Sequence, residues 1–328
     1  MYAKQILVLG FLCLLFNMHM EPLVAQTEET EGGISLLSDT SLFIAGSSLT
    51  LLRKNAIELN VLTSLSSFQL GVREARETSP YADLSRLTDF SSRMDAYLGM
   101  SRNGRFDLGF RLEYRRRRLD NAARSSVGEV FNEYNPQQGL WDNSFGGISR
   151  AGLRFRLKPL AKNQKFTVFG GYSAAVLKSE EFQDGLAVTA DRLDLNLAYF
   201  TPLNNRVYYF FSVNGFTDLE NREDSLANYQ AGANFALIHT SINRRFTVYP
   251  GLNYSINAEP VNELSGKSGL AWTSQQFAAF LGIQLQFNSR FLLNTTASFP
   301  ISSRFSSPWL GIVPRSTSSI SLGLRILI

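Results

Sequence analysis

Charged side chains occupy alternate positions in several segments of this chain. Between Phe106 and Arg117 charged and apolar residues alternate, and the same rule holds between Arg150 and Leu157. Because successive side chains of a β-strand point to opposite faces, the charged residues of each segment share one face. Nine arginines and five carboxylates belong to this charged face: Glu58, Arg93, Asp95, Asp107, Arg111, Glu113, Arg115, Arg117, Arg150, Arg154, Arg156, Arg192, Asp194 and Arg325.

Such a face could bind anions. Guanidinium groups recognise carboxylate and phosphate through two parallel hydrogen bonds, and the attraction is strong in a confined, poorly screened space. The arginines therefore predict an electropositive wall, concentrated on the two segments from Phe106 to Arg117 and from Ile148 to Leu157. The candidate solute-binding residues are Glu58, Asp95, Asp107, Arg111, Glu113, Arg115, Arg150, Arg154 and Arg156.

The alternative interpretation is that these charges neutralise each other. Four arginines would then pair with four carboxylates of the same face, because buried charges need partners. The arginines are Arg111, Arg115, Arg154 and Arg156, and the carboxylates are Glu113, Asp107, Asp95 and Glu58. The sequence leaves the choice between the two interpretations open.

A short phrase recurs five times between the alternating segments: Asn, any residue, Arg or Lys, then an apolar residue. Asn tolerates left-handed backbone and Asn-Gly suits a tight turn, so each copy is expected to join two antiparallel strands. The copies begin 60, 41, 39 and 45 residues apart, which indicates that one hairpin unit is reused. They are Asn103–Phe106, Asn163–Phe166, Asn204–Val207, Asn243–Phe246 and Asn288–Phe291.

Five hairpins and two flanking strands, one beginning near Ile57 and one ending at Ile328, give twelve strands. The connections that contain the phrase are short. The alternate connections are long and polar: about residues 73–90, 117–146, 178–190, 215–227, 257–273 and 300–317. We therefore predict an all-β fold, a closed antiparallel up-and-down transmembrane β-barrel with short periplasmic turns and long extracellular loops. A β-propeller fits less well, because each period holds two long strands rather than four short ones.

The N-terminus has the pattern of a secretory signal peptide. Lys4 precedes an apolar run from Ile6 to Phe16, and Ala25 offers a cleavage site. The apolar patches between Gly32 and Arg53 could fold into the lumen as a plug, which we favour, or form a periplasmic extension. The expected organisation is a signal peptide over residues 1–25, the extension or plug over 26–53, and the barrel over 54–328.

Cysteine and histidine are almost absent from the expected mature chain. Cys13 and His19 leave with the signal peptide, so His239 alone remains. No disulfide, metal centre or cofactor is therefore expected. The net charge of +4 is mild and indicates no nucleic-acid partner.

The terminal strand, Ser321–Ile328, is similar to the C-terminal strand that the barrel-assembly machinery reads, although Ile328 stands where that pattern usually has an aromatic residue. On this strand and the hairpin pattern, about residues 50–328 resemble Gram-negative outer-membrane β-barrel proteins, in the style of the outer-membrane transporters of Bacteroidetes. The resemblance implies an outer-membrane location after export. It also implies that the partners of the protein are outer-membrane lipid, lipopolysaccharide and the barrel-assembly machinery.

The predicted function is a porin-like channel or transporter that passes small hydrophilic solutes by passive diffusion, with anions as the candidate class. The alternative is a non-conducting barrel whose long loops, above all about 117–146, bind a partner or surface ligand. An enzyme is not expected. Twelve-stranded barrels include a phospholipase that needs a serine and histidine pair, but the pattern places His239 in a short periplasmic turn.

Overall fold

The computed structural model divides the chain into two units, Met1–Thr40 and Ser41–Ile328. The first unit, which holds the expected signal peptide and part of the expected plug, lies outside the described residues. The structure describes residues 43–44, 47–48, 51–74, 82–120, 126–138, 142–159, 165–177, 182–183, 186, 188, 190–219, 229–241, 245–262, 268–305 and 310–328. In this described part, no helix is long and apolar enough to cross a membrane.

Alternating sequences form the long strands of the second unit. Two short strands, β1 (Phe43–Ile44) and β2 (Ser47–Ser48), pair with each other. Twelve longer strands follow: β3 (Ile57–Glu74), β4 (Ala82–Gly99), β5 (Phe106–Asp120), β6 (Ser144–Leu157), β7 (Phe166–Ala175), β8 (Asp191–Pro202), β9 (Val207–Leu219), β10 (Tyr229–Thr240), β11 (Phe246–Asn262), β12 (Ser268–Gln286), β13 (Phe291–Phe305) and β14 (Leu310–Leu327). A 3₁₀ helix, Val127–Phe131, lies between β5 and β6.

The twelve long strands close into one barrel. Each strand pairs antiparallel with the next in sequence, and β14 pairs with β3 to complete the ring. Ile57 and Ile328 exchange backbone hydrogen bonds of 3.1 and 2.8 Å at this seam. The prediction of a closed, up-and-down, twelve-stranded barrel is therefore confirmed.

All five recurring phrases lie at hairpin turns, between β4 and β5, β6 and β7, β8 and β9, β10 and β11, and β12 and β13. We call this end of the barrel, which also holds Ile57 and Ile328, the turn end, and the opposite end the loop end. Asn204 Oδ1 accepts hydrogen bonds from the N–H groups of Arg206 and Val207, at 2.9 and 2.8 Å. Asn288 Oδ1 likewise accepts hydrogen bonds from the N–H groups of Arg290 and Phe291.

At the three copies whose asparagine the structure describes, Asn103, Asn204 and Asn288, the expected use of left-handed backbone by the asparagine is wrong. Among the described residues, positive φ occurs at Asn55, Asp142 and Gly104, and none of these is the first residue of a phrase. In the first hairpin Gly104 has φ 59°, and Ser101 Oγ accepts the hydrogen bonds from Arg105 and Phe106. In each of the described copies, a side-chain oxygen accepts hydrogen bonds from two successive backbone N–H groups of the turn. The copies share this acceptor and not a backbone conformation.

The strands extend further toward the loop end than the sequence pattern indicated. β4 begins at Ala82 rather than near residue 90, and β9 continues to Leu219 rather than ending near residue 215. The expected loops are correspondingly too long. The regular apolar alternation is needed only where a face meets lipid, so a strand can continue beyond it with polar residues on both faces.

The outer face is apolar, as a lipid-facing surface requires. Its exposed residues include Leu108, Phe110, Leu153, Leu193, Leu195, Leu197, Leu281 and Leu322. A row of aromatic rings circles part of this face near the turn end, where Phe166, Tyr199, Tyr209 and Phe235 lie 4.8, 6.3 and 5.1 Å apart in succession. Aromatic rings at this level are typical of a membrane interface.

Candidate functional site in the barrel interior

All nine candidate residues lie on the inner face of the barrel. Cross-strand register pairs Asp95 with Arg111, Asp107 with Arg156, and Glu113 with Arg150, so these groups point to the same side of the wall. The outward neighbours Leu108, Phe110 and Leu153 are exposed on the other side. The alternation in the sequence therefore predicted correctly which face carries the candidate charged residues. Their role in binding a solute stays a prediction.

The turn end of the lumen is filled by what we call the base layer, in which every barrel strand contributes one buried, inward-facing side chain. Its members are Glu58, Tyr97, Asp107, Arg156, Phe169, Ala198, Tyr208, Ile238, Tyr249, Gln284, Leu292 and Arg325. Side chains that lined a water-filled lumen would be exposed. Because these are not, the lumen is closed at this end.

Ion pairs hold one half of the base layer. The carboxylate of Glu58 accepts from Arg156 Nη1 at 2.5 Å and from Arg325 Nε at 2.7 Å. Arg156 also contacts Asp107, with Nε 3.0 Å from Oδ2, and its guanidinium carbon lies 3.9 Å from the centre of the Tyr97 ring. Two arginines and two carboxylates are thus neutralised out of contact with water.

Aromatic packing forms the other half. The rings of Phe169, Tyr208, Phe210 and Tyr249 are buried against Ala236 and Ile238. This cluster was missed by the sequence reasoning, which placed only charged residues in the interior. The signal was present, since both faces of β9 from residue 207 to 211 are aromatic or apolar (VYYFF).

The segment before β3 also reaches the turn end. Leu51 and Leu52 are buried, and the backbone N–H of Leu52 donates to both oxygens of Asp107, at 3.1 and 3.2 Å. Asn55, with φ 69°, then turns the chain into β3. Leu51, Leu52 and the exposed Arg53 are the part of the expected 26–53 plug whose side chains the structure describes, so the prediction for the segment as a whole stays untested.

Above the base layer, arginines on β5 and β6 are paired with carboxylates on neighbouring strands. Arg111 makes two hydrogen bonds to Asp95, of 2.6 and 2.9 Å. Arg154 pairs with Asp194 across β7. Nearer the loop end, Arg115 pairs with Asp89.

Farther around the wall, Arg192 makes two hydrogen bonds to Asp218, of 2.6 and 3.1 Å, and stacks on Phe216. Asp89 and Asp218 were not among the expected lumen carboxylates. They had been assigned to loops, because the sequence pattern ended β4 and β9 too early.

The paired-charge interpretation is therefore correct in kind but wrong in several partners. Arg111 with Asp95, and Arg156 with Glu58 and Asp107, follow it. The partners of Arg115 and Arg154 are Asp89 and Asp194 instead. Within the described residues, Glu113 lies within 4.0 Å of no cationic nitrogen, so it does not take the role expected of it.

In three of these pairs the arginine side chain is more accessible than the carboxylate. Arg93 is 26% exposed and its partner Asp95 4%. Arg192 is 24% exposed against 13% for Asp218, and Arg115 is 23% exposed against 15% for Asp89. The order is reversed at Arg154, which is 5% exposed against 19% for Asp194. Arg93, Arg115 and Arg192 are therefore the arginines of this wall best placed to meet a solute.

An amide row lies on the opposite wall. It crosses β9, β10 and β11: Asn234 Nδ2 donates to Asn214 Oδ1 at 3.3 Å, and Asn253 Nδ2 donates to Asn234 Oδ1 at 2.6 Å. Asp218, nearer the loop end of β9, is charged and pairs with Arg192. The lumen therefore combines a wall of ion pairs centred on β3–β8 with an amide row across β9–β11.

The loop end of the charged wall is partly covered. Leu186 and Val188, from the connection between β7 and β8, are fully buried against Phe145, and Tyr134 and Phe182 contact the Phe145 ring. Phe145 pairs in register with the inward residue Arg117. This connection was expected to be a polar outer loop, and its described residues pack on the inner face instead.

The short strand β7 lets arginines reach across it. Its inward residues include Gly171, and Arg154 lies over that glycine on its way to Asp194. A Cβ at Gly171 would come within 2.3 Å of the Leu153 carbonyl oxygen, 2.7 Å of Arg154 Cδ and 2.8 Å of Arg154 Nη1. A side chain here would therefore displace both the backbone of β6 and the arginine.

We expect Gly171→Ala to lower the free energy of unfolding by about 1–3 kcal/mol, the usual cost of overpacking, because the added methyl group meets the Leu153 carbonyl oxygen and disturbs the Arg154–Asp194 pair. Unfolding in urea, followed by the gel mobility of folded and unfolded barrel, measures it. Gly147→Ala is the matched control in β6, since its Cβ would meet only the Leu177 Cδ2 atom, at 3.3 Å. Equal stability of both variants would contradict the assignment.

The comparisons with known proteins concern the fold. No family model and no curated protein matches the chain. The crystal structure of the COG4313 outer membrane channel from Pseudomonas putida F1 superposes with a TM-score of 0.56 and 10% identity, covering 85% of this chain and 98% of that one. The chain has the fold of an outer-membrane β-barrel. The narrower resemblance to Bacteroidetes transporters stays a prediction.

Other outer-membrane barrels match more loosely. The P. putida toluene transporter TodX covers 84% of this chain and 90% of its own at 11% identity, with a TM-score of 0.40. The β domain of the Bordetella autotransporter BrkA covers 82% and 98% at 11% identity, with a TM-score of 0.44.

The exclusion of enzymes is corrected. Similar structures also include OmpT, an outer membrane protein of Vibrio cholerae, at 10% identity over 85% of this chain and a TM-score of 0.30. The placement of His239 on which the exclusion depended is wrong. His239 lies within β10, paired with Val207 and Val248, and not in a turn. These findings assign no enzymatic activity.

Proposed function

We propose that the protein is an outer-membrane channel for small hydrophilic solutes, with a preference for anions, whose periplasmic end is closed in the conformation described above. In such barrels the short turns lie on the periplasmic side, so the turn end corresponds to the periplasm. The proposal is supported by the barrel fold, which it shares with the COG4313 outer membrane channel.

The exposed guanidiniums of the lumen carry the anion preference. Arg93, Arg115 and Arg192 are each more accessible than the carboxylate that they contact. A solute in the lumen would have more contact with these side chains than with the carboxylates that they bind. In a lumen poorly screened by salt, this difference favours carboxylates and phosphates over cations.

The test is ion selectivity in a planar bilayer across a KCl gradient. Replacing Arg93 and Arg192 by Gln should lower the ratio of chloride to potassium permeability at least twofold, as read from the reversal potential. The matched control is Arg206→Gln with Arg290→Gln, which removes the same charge from exposed positions in the turns. An unchanged reversal potential in the lumen variant would refute the anion preference.

The closed base layer favours a second candidate function, a non-conducting barrel that binds a ligand at the loop end. A twelve-stranded barrel lies between the eight strands that side chains fill completely and the sixteen or more that leave an aqueous channel. Conductance separates the two candidates. No conductance from the wild type, and none after the Leu51 and Leu52 substitutions considered in the Discussion, would support the non-conducting barrel.

A further inference from the structure

Arg150 is a buried guanidinium without a full set of partners. It lies on the inner face of β6, and its side chain is 2% exposed. Its Nη2 is 3.3 Å from the carbonyl oxygen of Ala190 and 3.5 Å from Asp218 Oδ1. Within the described part of the protein, its Nε and Nη1 donate to no acceptor.

The nearest carboxylates are engaged elsewhere. Asp218 makes two short hydrogen bonds to Arg192, and Asp89 is paired with Arg115. Glu113 is opposite Arg150 in the strand register but forms no ion pair with it within 4.0 Å among the described residues. Arg150 therefore shares its carboxylate, Asp218, with Arg192 and leaves two donors unused. A buried charge is stabilised by full pairing, so this guanidinium can gain from a further counter-ion.

The surroundings of Arg150 suit a small anion. Arg192 and Arg115 are the cationic groups that act on it, and Glu113 and Asp218 the anionic ones. With Asp89, the partner of Arg115, the group holds three positive and three negative charges, and Asp218 is divided between Arg150 and Arg192. The paired residues of β7 are small: Ala175 is opposite Arg150, and Ser173 is opposite Gly152. Ala190, which accepts from Nη2, closes the site toward the loop end.

We propose that Arg150 anchors a binding site for one small oxyanion, a carboxylate, phosphate or sulfate group, with Arg115 and Arg192 completing the positive surroundings. A planar oxyanion group can accept from the Nε and Nη1 donors that the protein leaves unused. The proposal rests on the anion preference proposed above and refines it to a single site. It requires no open pore, so binding and conduction can fail independently.

The experiment titrates refolded protein in detergent with inorganic phosphate at low chloride, by isothermal calorimetry. The wild type should bind about one phosphate per chain, and Arg150→Gln should weaken binding at least tenfold. Arg290→Gln, which removes the same charge from an exposed turn, should bind within twofold of the wild type. Competition by sulfate and by acetate then distinguishes the oxyanion classes.

Two outcomes would overturn the proposal: no saturable binding by the wild type, or equal affinity of Arg150→Gln and the wild type. If Arg150→Gln does not refold, as judged by its gel mobility, Asp218→Asn takes its place. Removing the carboxylate 3.5 Å from Arg150 should raise phosphate affinity several-fold, and an unchanged or lower affinity would also overturn the proposal. The reversal potential measured in the planar bilayer tests ion conduction and does not test phosphate binding.

Discussion

Replacement of Glu58 by Ala should destabilise the barrel by about 3–5 kcal/mol, because removing one partner of a buried ion pair leaves the other charge uncompensated. Glu58 is fully buried and is shared by Arg156 and Arg325, at 2.5 and 2.7 Å. Without it Arg325 loses its carboxylate, and Arg156 retains only Asp107. Two guanidiniums would then remain close together in the base layer.

Urea unfolding of protein refolded in detergent measures this effect, with folded and unfolded forms separated by their gel mobility. Glu133→Ala is the control, since Glu133 is an exposed carboxylate near the loop end and its removal changes the net charge equally. We expect that control within about 0.5 kcal/mol of the wild type. A Glu58→Ala variant as stable as the control would show that the base layer does not depend on this network.

Replacement of both Leu51 and Leu52 by Ser should raise the open probability of single channels at least tenfold. Burial of a leucine side chain stabilises the buried state by about 1.5–3 kcal/mol, and each 1.4 kcal/mol changes an equilibrium tenfold. Both leucines are buried at the turn end, where the Leu52 N–H contacts Asp107. The serine side chains should weaken the burial of this segment and so favour conformations in which the segment leaves the turn end.

Recordings in a planar bilayer measure the open probability directly. The control is Leu203→Ser, since Leu203 is 52% exposed in the turn between β8 and β9. An open probability equal to that of the wild type would mean that closure resides in the base layer alone. A rise in the control as well would indicate a general loss of stability rather than release of the segment.

The fold could be predicted from sequence because its signals are local and repeated. The period of two fixes which face each residue occupies, and the recurring Asn phrase marks every described reversal at one end. That parity also placed Arg111 and Arg156 on the inner face. No long-range information was needed for either result.

The partners of the charged residues could not be predicted in the same way. Arg154 reaches Asp194 across β7 because Gly171 leaves its path clear, and this depends on the arrangement of three strands. Asp89 and Asp218 were missed because strands continue beyond the lipid-facing alternation. The aromatic half of the base layer was missed because a polar lumen was assumed for every strand.

The ion pair between Glu58 and Arg325 joins residues that lie 267 positions apart in the chain. These residues stand on β3 and β14, the first and last strands of the barrel, which meet only when the ring is complete. The pair can therefore form only when β14 meets β3. A barrel lacking β14 would keep the Arg156 pairs with Glu58 and Asp107, so closure of the ring is the step that adds Arg325 and completes the charged network.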